Sequence, residues 1–130
     1  MSEQHEASQR QVGRIGWVDL TVDDAPRLRD FYREVVGWTV GECAMGDYSD
    51  YFMCEPNSGE QIAGVCHARG PNADLPPTWL LYITVADLDA SIERTLALGG
   101  EIIAPRRAFG DGAFAVVRDP AGAAVGLFQH

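Results

Sequence analysis

The stretch GWVDLTVDDAPRLRDFYREVVGW, from Gly16 to Trp38, decides the fold. Apolar and polar residues alternate from Ile15 to Val22, and a period of two predicts a strand with one buried face. Asp23 or Asp24 can then cap a helix, with Pro26 in its first turn, and Gly37 can end that helix. The apolar residues in between have helical spacing and form one stripe, which consists of Leu28, Phe31, Tyr32 and Val35.

The second half of the chain repeats this pattern. A strand is predicted from Trp79 to Val85, Asp87 can cap the following helix, and Gly99-Gly100 can end it. Val22 then corresponds to Val85 and Gly37 to Gly100, each 63 positions apart. This agreement predicts two copies of one structural unit. The apolar face of the second helix consists of Leu88, Ile92, Thr95 and Leu96.

Three short strands are predicted after each helix, separated by Gly, Asp, Asn and Pro. The fold class is therefore α+β, with two β-α-β-β-β modules at about residues 13–68 and 78–129, joined by a linker at 69–77. These modules make one domain, residues 13–130, preceded by a flexible tail at residues 1–12. The predicted short strands are Thr39–Cys43, Tyr51–Cys54, Ile62–His67, Glu101–Ile103, Ala113–Val117 and Ala124–Phe128.

Composition restricts the partners and the chemistry. The 130 residues are 46% hydrophobic and carry a net charge of -9, which disfavours nucleic acid and anionic membranes. All ten basic residues are Arg, so Schiff-base chemistry on Lys is excluded. Three Cys without CxxC spacing predict reduced, half-buried thiols. No apolar run is long enough to span a bilayer and no secretion signal is visible, so a cytoplasmic location is expected.

Three segments together resemble the glyoxalase/bleomycin resistance/extradiol dioxygenase superfamily, the vicinal oxygen chelate fold. They are the opening stretch quoted above, VADLDASIERTLALGGEI, and the closing FAVVRDPAGAAVGLFQ. The resemblance covers about Gly13 to Gln129 and implies that the modules form a curled mixed sheet around a cleft, commonly in a homodimer. WVDL, where a metal-binding His would stand, is similar to short glyoxalase-like proteins related to a mycobacterial secreted antigen family.

The resemblance also implies where a metal would bind. Metal-dependent members carry His or Glu on the first and last strand of each module, at positions that correspond here to Trp17, Gly64, Leu80 and Gly126. None of these residues can ligate a metal, and a shift of one residue along a strand reaches only apolar neighbours. We therefore expect no metal and no cofactor.

Strand alternation extends the resemblance to a set of residues facing the cleft. Asp19 and Tyr82 are candidates for acid–base catalysis, although Asp19 could instead pair with Arg118 and Trp17 could be a core aromatic residue. The two glycines would leave room for a ligand. The predicted ligand-binding set is Trp17, Asp19, Thr21, Gly64, Leu80, Tyr82, Thr84, Gly126 and Phe128.

Three functions remain open at this point. The favoured one is metal-independent binding of a small molecule, for example an antibiotic or a metabolite that the protein sequesters. The second is a metal-free isomerase or lyase that uses Asp19 and Tyr82, and the third is a metal-dependent glyoxalase or dioxygenase with relocated ligands such as Asp19, Asp47 and His67. Otherwise His67 is expected at the surface, and Asp47, Tyr48 and Tyr51 are expected in a solvated loop.

Overall fold

The structure is a computed structural model that describes residues 11–130, so the first ten residues of the predicted tail lie outside the described residues. The chain divides into two compact units. The first unit is Trp17–Trp79, and the second is Leu80–His130 together with the described residues before Trp17. No helix within residues 11–130 is both long and apolar enough to cross a membrane.

The first unit contains one helix and a four-stranded mixed sheet in the order β2-β3-β4-β1. β1 runs parallel to β4, and the other neighbours are antiparallel. The helix begins where Asp24 Oδ1 accepts a hydrogen bond from Arg27 N at 3.3 Å, and it ends at Gly37, whose φ of 90° favours glycine. The elements are β1 (Ile15–Val22), α1 (Ala25–Val36), β2 (Thr39–Ala44), β3 (Ser49–Cys54) and β4 (Gln61–His67).

The second unit has the same organisation, with its strands in the order β5-β8-β7-β6. β5 is parallel to β8, and the remaining pairs are antiparallel. Asp87 caps the helix by accepting from Ala90 N at 3.1 Å, as the sequence predicts. The elements are β5 (Trp79–Thr84), α2 (Leu88–Ala97), β6 (Glu101–Phe109), β7 (Gly112–Arg118) and β8 (Ala124–Gln129).

Each unit packs its helix against one face of its sheet. In the first unit Tyr51, Met53 and Val65 form the centre of that core with Ala25 of α1. In the second unit Leu88 of α2 packs with Ala113 and Ala115. The predicted α+β class and the two β-α-β-β-β modules are therefore confirmed. The predicted linker, residues 69–77, contains a short 3-10 helix, Gly70–Asn72.

The prediction for β6 is wrong in length. The sequence predicted Glu101–Ile103, whereas the strand continues to Phe109 through Pro105. Two register irregularities, between Ile102 and Ala104 and between Ala104 and Arg107, break the simple alternation. β6 is also an edge strand, where a proline need not donate to a neighbouring strand.

Candidate functional site

In the first unit, the sheet face opposite α1 carries the predicted site residues of that unit. Asp19 pairs with Gly64 between β1 and β4. A Cβ atom placed on Gly64 would lie 3.2 Å from Asp19 Cβ and 3.5 Å from Trp17 Nε1, so all three residues share this face. Phe52 of β3 meets Trp17 edge to face, with ring centroids 6.3 Å apart. The result is an aromatic wall beside a carboxylate whose Oδ1 atom is completely buried.

The next row across the same sheet is polar. Thr21, 2% exposed, pairs with Cys66 on β4, and Cys43 pairs with Asp50, which is 7% exposed. Burial raises the pKa of the Cys66 thiol above its ordinary value, and the negative charges of Asp19 and Asp50 raise it further. Cys66 therefore stays protonated and does not act as a thiolate nucleophile near neutral pH.

Asp50 holds His67 at the end of β4. Asp50 Oδ1 accepts a hydrogen bond from His67 N at 2.9 Å and lies 3.1 Å from His67 Nδ1. The rings of Tyr48 and Tyr51 lie 5.1 and 6.0 Å from that of His67. The prediction of a surface histidine is wrong, because the His67 side chain is only 15% exposed. Tyr51 is likewise a buried residue of β3 rather than part of a solvated loop, since it completes the core beneath α1.

The second unit carries the remaining predicted residues, with an aromatic cluster on one face. Tyr82 pairs with Gly126 between β5 and β8, and a Cβ atom on Gly126 would overlap the Tyr82 ring. The ring centroid of Phe114, on β7, lies 6.0 Å from that of Tyr82. Phe114 is also the register partner of Phe128 between β7 and β8. Leu80 is fully buried and Thr84 is 4% exposed, so both are less accessible than Tyr82 and Phe128.

The two inward glycines do not leave room for a ligand, contrary to the sequence-based expectation. The Trp17 indole and the Asp19 side chain cover Gly64, and the Tyr82 ring covers Gly126. Each glycine instead allows a side chain from the neighbouring first strand to pack against the backbone. At the positions where the resemblance implies metal ligands, the chain has carbon surface and an indole N–H, which do not fit a divalent ion.

The relocated metal site gains no support from the geometry. Asp47 is exposed, and its Oδ2 atom lies 3.8 Å from a guanidinium nitrogen of Arg69. The His67 ring is hydrogen-bonded to Asp50. Among residues 11–130, no three or more His, Cys, Asp and Glu side chains converge in a way that could hold a metal ion. Arg118, which the sequence analysis suggested as a partner of Asp19, donates a hydrogen bond to Gly122 O at 3.0 Å.

Some residues of these faces escaped the sequence reasoning. Phe52 and Phe114 lie on third strands, whose register against the first strands cannot be read from alternation alone. Asp50 is 17 residues from His67, and only strand pairing brings them together.

The acid–base roles of Asp19, in the first unit, and Tyr82, in the second, stay predictions.

The chain belongs to the Glyoxalase/Bleomycin resistance protein/Dioxygenase superfamily. The family's sequence model matches residues 14–127, which is most of the chain. A solved member of that superfamily from Vibrio splendidus 12B01 has a TM-score of 0.54 at 14% identity, over 88% of this chain and 97% of the other. That structure supports the fold alone.

Two curated relatives are more similar in sequence. A candidate glyoxylase named CFP32, from Mycobacterium tuberculosis, is 32% identical over 94% of this chain and 48% of its own length. The anthracycline biosynthesis protein DnrV from Streptomyces peucetius is 32% identical over 90% of this chain and 47% of its own length. This chain therefore spans about half the length of the curated relatives it matches.

Proposed function

We propose that this chain binds a small organic molecule without a metal ion. The observation that carries the proposal is the packing of Trp17 over Gly64 and of Tyr82 over Gly126. Aromatic rings and glycines replace the oxygen and nitrogen ligands that a metal-dependent member of the family would need. Aromatic walls with a few polar groups are typical of sites for organic ligands.

The ligand is an aromatic compound, and a positive charge favours its binding. Trp17 and Phe52 offer ring faces and edges to a flat molecule in the first unit. Tyr82 and Phe114 form a separate aromatic surface of the same kind in the second unit. The net charge of -9 attracts cations over a longer range. The similarity to a protein named for anthracycline biosynthesis makes an anthracycline the first probe.

The test is a calorimetric titration of the purified chain with daunorubicin, before and after treatment with EDTA. We expect binding that EDTA does not change, in protein with less than about a tenth of an equivalent of metal by elemental mass spectrometry. Trp17→Ala and Phe114→Ala test the two faces separately, and exposed Leu96→Ala is the control. Near-stoichiometric metal, with binding that EDTA abolishes, would contradict the proposal.

The burial of Asp19 favours a second candidate, a metal-free isomerase or lyase. A carboxylate with a completely buried oxygen is costly to maintain, and proton transfer is one function that retains such groups. In this candidate Asp19 accepts a proton from the substrate and Tyr82 donates one. Asp19→Asn would then abolish turnover, whereas for a binding protein it would only weaken affinity.

A further inference from the structure

The second unit has a groove on the side of its sheet that carries α2, away from the face proposed above to bind ligand. Its volume is about 600 Å³, within the range of small-molecule sites. Ala90, Ser91, Arg94 and Thr95 of α2 line one side, and the acidic residues Asp87 and Asp119 also belong to the lining. The apolar walls are Val12, Val85, Leu98, Val117, Val125 and Leu127.

The internal repeat shows why this groove is open. The capping residues Asp24 and Asp87 are 63 positions apart, as are the first residues of α1 and α2. With that offset, Ser91 stands where the first unit has Leu28, and Thr95 stands where it has Tyr32. Two large side chains of the first unit are thus replaced by two small ones.

In the first unit an indole fills the corresponding space. Trp79 packs against the core cluster, with its ring centroid 5.1 Å from that of Tyr32 and 6.1 Å from that of Trp38. Its Nε1 atom donates a hydrogen bond to the Tyr32 hydroxyl at 3.1 Å. Core side chains of β3 and β4, Met53 and Val65, complete the surroundings.

The second unit retains the surroundings of that indole without the large residues. Val117 and Leu127 occupy strands equivalent to those of Met53 and Val65, and Glu101 stands where the first unit has Trp38. Thr95 Oγ1 donates to Ser91 O at 2.8 Å, and its lone pairs can still accept a hydrogen bond. The groove therefore combines apolar walls with a hydroxyl acceptor at the position of Tyr32.

We propose that this groove binds a free bicyclic aromatic molecule of the indole class, with its ring N–H directed to Thr95. The choice of an indole rests on the first unit, where the equivalent positions surround the indole of Trp79. There Tyr32, the residue equivalent to Thr95, accepts the hydrogen bond from the indole N–H. This site does not depend on the function proposed for the opposite face.

The test is titration with indole, followed by NMR of the methyl groups of Val117, Val125 and Leu127. We expect one site with a Kd on the order of 0.1–1 mM, as ligand efficiency allows for so small a molecule. The double variant Ser91→Leu/Thr95→Tyr restores the residues of the first unit and should weaken indole binding at least about tenfold. Because the variant fills an apolar groove, its Tm should not fall.

Leu96→Ala is the matched control, because Leu96 lies on the same helix, is 56% exposed and does not line the groove. It should bind indole as the wild type does. Equal binding by the double variant, or methyl shifts elsewhere only, would overturn the proposal. A second copy covering the groove would overturn it too, and would appear as a dimer in sedimentation that the double variant abolishes. If the double variant does not fold, the wild type alone tests the proposal: indole must shift the methyl signals of Val117, Val125 and Leu127.

Discussion

Replacing Gly126 with alanine tests the packing on which the site depends. The three atoms nearest to a Cβ on Gly126 all belong to Tyr82, and the closest of them overlap it. Since Gly126 does not have a positive φ, the substitution introduces no backbone strain. Its cost therefore comes from displacing the Tyr82 ring, and such overpacking typically costs about 1–3 kcal/mol.

Gly64→Ala is the matched comparison in the other unit. Its Cβ would lie 3.2 Å from Asp19 Cβ and 3.5 Å from the Trp17 ring, so small shifts of the neighbours can accommodate it. We expect its cost to be below about 1 kcal/mol, because the strain of overpacking depends on the overlap. The two variants should differ in the free energy of unfolding measured in urea.

A double-mutant cycle assigns the cost to the ring. In a Tyr82→Ala background, Gly126→Ala should be neutral or should stabilise the chain by about 0.5–1 kcal/mol, since alanine has less conformational freedom than glycine when unfolded. A cost that is the same with and without Tyr82 would refute the reasoning. So would a Gly126→Ala variant within about 0.5 kcal/mol of the wild type, which is the scatter expected of an unimportant substitution.

Three further substitutions test single contacts by urea unfolding. Asp50→Ala removes the acceptor of two His67 hydrogen bonds and should cost about 2–3 kcal/mol; a loss below about 1 kcal/mol would contradict this. The pKa of the Cys66 thiol is raised in the folded chain, so above about pH 8.5 only the unfolded chain loses the thiol proton. The free energy of unfolding should therefore fall as the pH rises further, by up to about 1.4 kcal/mol per pH unit. Cys66→Ala should reduce that slope, and an unchanged slope would exclude the thiol as its cause. Tyr32→Phe removes the acceptor of the Trp79 indole and should cost about 1 kcal/mol; an unchanged midpoint would show that this bond contributes little.

The repeat and its boundaries were predictable because their signals are local. An aspartate that caps a helix and a glycine that ends one act within a few residues, so Asp87 and Gly37 could be assigned as helix boundaries from the sequence. Alternation likewise predicted that Trp17, Asp19 and Gly64 share one face, and the contacts around Gly64 agree. The sequence predicted only the first three residues of β6, because the irregularities between Ile102 and Arg107 break the alternation by which a strand is recognised.

The sequence by itself determined the two modules, the helix caps and the absence of ligating side chains at four positions, since these depend on residue identity and short-range spacing. Only the tertiary structure decided which side chains cover the inward glycines and which residues meet across the strands. Tyr82 covers Gly126, and Asp50 reaches His67 across a strand pair, because register brings distant residues together. The groove beside α2 is likewise visible only in three dimensions, where the exchange of Tyr32 for Thr95 removes side-chain volume from one of two similar cores.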